Sequence, residues 1–255
     1  MGATRLIAPL ILTLSLALVA GLRADPWADE VIDFTPGTNA GFGQDQFPGN
    51  VLGRPEGGVS ANIPQASPEA ILSLGHGGSI TLAFTDNIAA NGPGDDLIVF
   101  ENVFLRISDG DPFIESATVE VSVDGEEWHE FPFDFMPFDP PTPPSTIPTI
   151  LADSFPMGFA GVSPTLTTSS NGIDPTDPSV AGGDAFDLDD VGLAFARFVR
   201  ITDTAGRTDG DGEAIEDDGD FGVVSGGTSA GFDLDAVVAV HSEGATAVMD
   251  WRLFR

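Results

Sequence analysis

Apolar positions along this chain come in short runs that alternate with polar ones at a period of two. Past the N-terminal apolar stretch, none holds the three-and-four spacing of an amphipathic helix. The segment ATVEVSVDGEEWHEF is the clearest case. Val119, Val121 and Val123 alternate with their neighbours, lead into Asp124-Gly125 and resume at Trp128 and Phe131. An Asp-Gly pair accepts the positive φ of a tight hairpin turn. AILSLGHGGSITLAF reads as two strands split by a turn at Gly75, His76, Gly77 and Gly78, and LIVFENVFL as a strand apolar enough to be buried. Residues 191–203 alternate again, with Leu193, Phe195, Arg197, Val199 and Ile201 on one side and Ala194, Ala196, Phe198, Arg200 and Thr202 on the other. FDLDAVVAVH is the last strong strand, and AVMDWRLFR adds a closing one. Many short strands, with 31 Gly and 20 Pro in the chain, predict an all-β fold, an antiparallel β-sandwich with long Gly/Pro/Asp-rich loops.

Some segments break the pattern. The opening MGATRLIAPLILTLSLALVAGLRADPW holds one early charge, Arg5, and an apolar run from about Leu6 to Val19. That run is short for a membrane span and fits a signal peptide over 1–24, cleaved after Ala24, with Ala20 and Gly21 as rival sites. An uncleaved anchor is the other reading. Without a second apolar segment, the mature chain is expected to be exported, with no transmembrane segment. Residues 25–50 read as an extended lead-in with Phe or Trp anchors, and 51–255 as a single β-sandwich domain. Seven prolines between Pro132 and Pro148 mark an excursion from the sheets, since proline cannot donate to a ladder. Residues 203–220 form an acidic loop with eight carboxylates.

Charge narrows the function classes. Asp and Glu number 40 against nine basic residues, all Arg, for a net charge of −31. A nucleic-acid partner is therefore not expected, because a polyanion needs a basic footprint. An acidic surface that serves only solubility is the plain alternative to one that recruits cations. Absence of Cys removes disulfides and thiolate metal sites, and absence of Lys and Tyr removes Schiff-base chemistry and tyrosine acid or base roles. With 42% apolar residues, 19 Phe and 3 Trp, the chain still has material for a sizeable core.

Two stretches pose a chemical question. GGDAFDLDDVGL and AGFDLDAVVAV each place aspartates at i and i+2 in what reads as a strand: Asp187 and Asp189, then Asp233 and Asp235. Asp is depleted in strands, and two carboxylates on one face repel. If Phe186, Leu188, Phe232 and Leu234 point inward, the aspartates point the other way, and the pairs converge if their strands lie close. DNIAANGPGDDLIVFEN adds Asp95, Asp96, Glu101 and Asn102. Hard oxygen donors without His or Cys beside them match Ca²⁺ better than zinc. A structural Ca²⁺ is thus expected, with Asp95, Asp96, Glu101, Asp187, Asp189, Asp233 and Asp235 as candidate ligands. Solvated strand ends and turn formers are the alternative. Asp209, Asp211, Glu213, Asp217 and Asp220 also fall in an EF-hand-like register, but Ala214 stands at the turn glycine and Asp220 at the terminal Glu.

Signals for catalysis are thin. His76, His129 and His241 form no HExxH pattern and no serine sits in a G-x-S-x-G elbow. Two carboxylates suffice for glycoside hydrolysis, yet among 40 acidic residues such pairs are common. The chain is expected not to be an enzyme. Trp27, Trp128 and Trp251 read either as sugar-stacking rings or as packing.

SLGHGGSITLAF, NGPGDDLIVFENVF, ATVEVSVDGEEWHEF, VAGGDAFDLDDVGLAFARFVRITD and GFDLDAVVAVHSE together resemble a family of exported bacterial cell-surface proteins of unknown activity. The chain also resembles galactose-binding-domain-like domains, as in carbohydrate-binding modules and discoidin-type adhesion domains. That resemblance implies a sandwich of jelly-roll type with a structural Ca²⁺ and a ligand patch on the loops at one end. Carried onto this chain, Asp96, Asp187, Asp189, Asp233 and Asp235, with Glu101, fall in the shared blocks. The expected function is a secreted or cell-surface, calcium-stabilised, non-catalytic binding or adhesion module, with extracellular polysaccharide or another surface protein as partner. An envelope or matrix protein without a small ligand is the alternative, and a carboxylate-based glycan-processing enzyme a third reading.

Overall fold

A computed structural model describes residues 24–105, 112–133, 158–207 and 228–244. Among these the strands are β1 (Glu30–Thr35), β2 (Leu72–Ser73), β3 (Ser79–Ala83), β4 (Asn87–Ala90), β5 (Leu97–Glu101), β6 (Phe104–Leu105) and β7 (Pro112–Phe113). They continue with β8 (Ala117–Ser122), β9 (His129–Glu130), β10 (Asp184–Phe186), β11 (Phe195–Ala196), β12 (Phe198–Asp203), β13 (Asp233–Ala239) and β14 (Ser242–Gly244). Every pairing is antiparallel. The only described helices are two 3-10 turns, Gln44–Gln46 and Leu188–Val191, and no described helix is long and apolar enough to cross a membrane. The fold is all-β, as the period-two pattern predicts.

A five-stranded sheet runs β1-β3-β12-β8-β9 and a four-stranded one β10-β5-β13-β2. Ile80, Leu82, Val119, Val121, Val199 and Ile201 from the first meet Leu97, Val99, Leu234 and Val237 from the second in one shared core. The second sheet is also covered on its far side, where Ile98, Phe100, Ala236 and Val238 pack under Ala181, Ile173 and Trp27. This double burial explains why LIVFE and DLDAVVA are buried at every position. β12 instead alternates, with Val199, Ile201 and Asp203 inward and Phe198, Arg200 and Thr202 half-exposed. A smaller sheet, β11-β4-β14, and the β6-β7 pair flank the sandwich.

The expected hairpin is present, with Val121 opposite His129 and Glu120 opposite Glu130. Its connection takes all of residues 123–128. Asp124 Oδ1 accepts from the Glu126 and Glu127 N–H groups at 2.9 and 3.1 Å, and Gly125 has φ 78°. Two expectations are corrected. The strand read over 191–203 breaks at Arg197 into β11 and β12, which belong to different sheets. Arg197 N–H turns to the Ser122 carbonyl and its own carbonyl accepts from Phe84 N–H. FDLDD is not a strand beyond Phe186: Asp187 caps the Leu188–Val191 3-10 turn, its Oδ1 accepting from Asp189 N–H at 2.9 Å. A short carboxylate that competes for backbone N–H groups favours that capped turn over a continued ladder.

The lead-in supplies β1, an edge strand paired with β3, and Trp27, which bridges to Val238. The acidic register from Asp209 to Asp220, the Pro-rich stretch from 134 onward, Trp251, the closing strand and residues 1–23 lie outside the described residues.

Candidate functional site

β10 and β13 both run antiparallel to β5 on either side of it, so they are parallel to each other. Asp187 follows the end of β10, while Asp233 opens β13. The two aspartate pairs therefore sit at opposite ends of the sheet, separated by the length of β5, about 13 Å at ~3.3 Å per residue. They do not converge.

At the first end, Asp96 is fully buried; its Oδ1 accepts from Gly92 N–H at 2.6 Å and its Oδ2 from Leu188 N–H at 2.9 Å. Burial pushes its carboxyl up and these two N–H groups pull it back. The half-buried Asp95 is pushed up by burial and then by Asp187 and Asp190. Asp189 Oδ1 accepts from Asn91 Nδ2 at 2.8 Å, and His241 Nε2 stands 3.9 Å from Asp96 Oδ1. These groups build the loop joint.

At the other end, Glu101 is 2% exposed, with Oε1 accepting from Asp233 N–H at 3.2 Å and Oε2 without a partner. Burial, then Asp233 and Asp184, push it well above the usual carboxylate range. Burial raises Asp233 and Asp184 each to about 6. Asp235 sits at the bulge of β13 between Leu234 and Ala236, where the register with β5 shifts. No group of three or more His, Asp or Glu among the described residues is arranged to hold a metal ion, so the seven acidic candidates form no shared ion cage.

Asp235 points instead to a different feature. Both its oxygens accept from Glu56 N–H, at 3.1 and 3.0 Å, and burial raises it to about 8, with the Glu56 charge adding to the rise. Glu56 in turn accepts from Ser169 N–H through both oxygens, at 3.0 and 3.1 Å. This relay clamps residues 56–65 against the loop 165–171, and between them lies a groove of about 410 Å³. Gly57 N–H donates to the Thr167 carbonyl at 3.0 Å. Asn102 and Gln65 exchange two hydrogen bonds, Gln65 N–H to Asn102 Oδ1 at 2.7 Å and Asn102 Nδ2 to the Gln65 carbonyl at 3.0 Å. Asn171 Nδ2 holds the opposite wall through the Leu166 carbonyl at 2.8 Å.

The groove is lined by the polar residues Ser60, Gln65, Thr165, Thr168, Ser170 and Asn171, of which Thr165 turns its hydroxyl inward to the Glu101 carbonyl at 2.8 Å, by the aliphatic Val59, Pro64 and Leu166, and by one acidic residue, Glu56. No Arg or His lines it. Sequence reading passed over it because its walls are loops without hydrophobic period. The available signal is Glu56-Gly57-Gly58: a Cβ on Gly57 would stand 2.4 Å from the Thr165 carbonyl oxygen, and one on Gly58 1.8 Å from that of Ile63. Gly58→Ala is expected to force open the turn closed by Ile63 N–H and the Ser60 carbonyl. A destabilisation of about 2 kcal/mol, measured by urea unfolding, is the expected result.

The aromatic candidates lie elsewhere. Trp128 stacks under the Arg200 guanidinium, 3.7 Å from its ring centroid, and Trp27 packs on the second core, so both described tryptophans are engaged in packing.

No protein-family profile and no curated protein matches the chain. Among solved structures, the C-terminal domain of a chitobiase from Bacteroides fragilis is similar at 10% identity and a TM-score of 0.34, over 88% of this chain and 98% of that one.

Proposed function

We propose that this protein is an exported, non-catalytic binding domain whose groove between residues 56–65 and 165–171 takes a segment of uncharged polysaccharide. The observation that carries the reading is the lining: neutral hydroxyls and amides around aliphatic patches, with no cationic side chain. Sugars offer the same mixture of hydroxyl edges and C–H faces, and a few placed polar groups on a pre-formed wall give orientation. Acidic polysaccharide fits poorly beside Glu56 on a chain of charge −31. The carboxylate inventory of the groove supports binding without turnover. Glycoside hydrolysis takes two carboxyl groups across the scissile bond, while the groove lining offers Glu56 alone, its oxygens occupied by Ser169 N–H.

Affinity electrophoresis through gels carrying neutral or uronate-rich polysaccharides tests this. Retardation is expected in a neutral glycan gel. Ser170→Trp, a change on an exposed loop that fills the groove, is expected to weaken binding tenfold or more, about 1.4 kcal/mol, with unfolding temperature unchanged. Equal retardation of wild type and Ser170→Trp places binding elsewhere, and release of reducing sugar overturns the non-catalytic reading.

A further inference from the structure

Asn87 opens β4 and is fully buried. Its Nδ2 donates to the Asp25 carbonyl at 2.7 Å and to Ser242 Oγ at 3.1 Å. The carbonyl partner fixes the amide's orientation, because a flipped amide would set oxygen against oxygen. Its Oδ1 is buried and has no partner. An orphaned buried acceptor calls for an explanation. That oxygen belongs to the same amide head that grips Asp25, so the donor it lacks is expected beside the backbone of Asp25, whose own N–H donates to no described group.

The residues after Asp25 are firmly held. Ala239 N–H donates to the Pro26 carbonyl at 2.7 Å, Trp27 bridges to Val238, Ala28 N–H donates to the Val237 carbonyl at 3.1 Å and Asp29 N–H to that of Ala83 at 2.9 Å. This short strap thus ties β13 of one layer to β3 of the other. Its surroundings are negative. Burial, then the charges of Asp29 and Asp25, push the Asp86 carboxyl up, and no described Arg or His pairs with any of the three. These carboxylates are not arranged to hold a metal ion. The place calls for a positive group that brings N–H donors with it.

We propose that removal of the signal peptide after Ala24 creates this group: the freed α-ammonium of Asp25 docks on Asn87 Oδ1 and balances Asp29 and Asp86. Hydrolysis of the Ala24–Asp25 peptide bond by a signal peptidase consumes one water, leaves Ala24 with a carboxylate and leaves Asp25 with an amine, which takes up a proton. Before cleavage the Asp25 nitrogen offers one donor of fixed direction. Afterwards it carries three donors and a full charge and turns freely about its bond to Cα. An α-amine titrates at about 7.7–8.0, so it is charged at neutral pH, and a charged donor makes roughly twice as strong a hydrogen bond as a neutral one. The inference rests on the exported reading of the chain and is independent of what the groove binds. Processing then completes the strap that joins the two layers.

The chain contains no Lys, so the α-amine is the one primary amine of the processed protein and an acetylating reagent reads it alone. Protein exported by a bacterial host is expected to show, by intact mass, a chain that begins at Asp25. Near pH 7.5 its amine is expected to acetylate roughly fivefold or more slowly in the folded protein than in guanidinium chloride, because pairing with carboxylates lowers the unprotonated fraction. Asp86→Asn speeds the folded-state reaction about twofold or more, and Asp189→Asn, at a distant carboxylate, leaves it unchanged. The acetylated protein unfolds roughly 2–4 °C below the unmodified one. A chain that begins at another residue overturns the proposal, and a chain that keeps residues 1–24 overturns the exported reading with it. A chain that begins at Asp25 but acetylates equally fast folded and unfolded, or unfolds at the same temperature once acetylated, overturns the docking and leaves export standing.

Discussion

The protein is expected to become less stable as pH rises from about 4.5 to about 8.5, by several kcal/mol. Asp233 and Asp184 rise from 3.8 to about 6 on folding, Asp235 to about 8, and Glu101 well above its ordinary range, each chiefly through burial. Between the ordinary value and the raised one, the folded state holds protons that the unfolded chain has released. Stability from these groups is complete below the ordinary carboxylate range and is lost as pH climbs through the folded values. Self-repulsion at −31 acts in the same direction. Urea midpoints at several pH values measure the slope, and a flat or rising curve would sink the expectation. Asp235→Asn should flatten the limb between about pH 6 and 8, where Glu101 still contributes, and leave the lower one to which Asp233 and Asp184 contribute.

Asp203→Ala is expected to destabilise by about 4 kcal/mol, lowering the unfolding temperature by roughly 10 °C. This carboxylate is 1% exposed and accepts from three backbone N–H groups: Gly77 at 2.6 Å, Ala205 at 3.0 Å and Phe232 at 2.8 Å. It ends β12 in one sheet while its Phe232 contact lies at the entry of β13 in the other, so one side chain pins the two layers together. Gly231 must lack a Cβ beside it, since one would stand 2.5 Å from Asp203 Oδ2. Alanine leaves these three donors without their acceptor, the Phe232 N–H buried and the other two part-buried. Asn retains an acceptor for some and sets an N–H against another, so about half the loss is expected for Asp203→Asn. A loss under 1 kcal/mol by calorimetry would mean that water replaces the carboxylate.

Asp203 was legible after a fashion. It continues the inward series Val199 and Ile201 at a period of two, and a carboxylate on a core-facing position signals a buried polar anchor. Read as the first residue of an acidic loop, it hid among its neighbours. β3, β5, β8 and β13 were legible because packing on a sheet selects runs of Val, Ile and Leu or a strict alternation. The aspartate pairs misled for two separate reasons. At Asp187 local capping beats strand extension, and at Asp233 the opposite face of the strand is itself buried under residues 158–183, which no local pattern reveals. Whether two strands flanking a third bring their ends together depends on direction, and direction is a property of the chain's path. The groove was hidden for a related cause: loop walls joined by backbone hydrogen bonds leave little trace beyond two adjacent glycines.

The pairing of the central strands also bears on how the fold is reached. β12 lies between β3 and β8, with Val199 opposite both Leu82 and Val121, and β5 finds its partner β13 only near the C-terminal end of the described residues. Each layer is thus missing its middle until late in the chain. Closing such distant pairings carries a large loop entropy before any core forms, which makes assembly slow relative to proteins built from local contacts. An N-terminal fragment ending before β12 would lack the strand that joins β3 to β8, and so would hold two unpaired edges instead of a folding intermediate with a closed sheet. The molecule is built to fold once, late and as a whole.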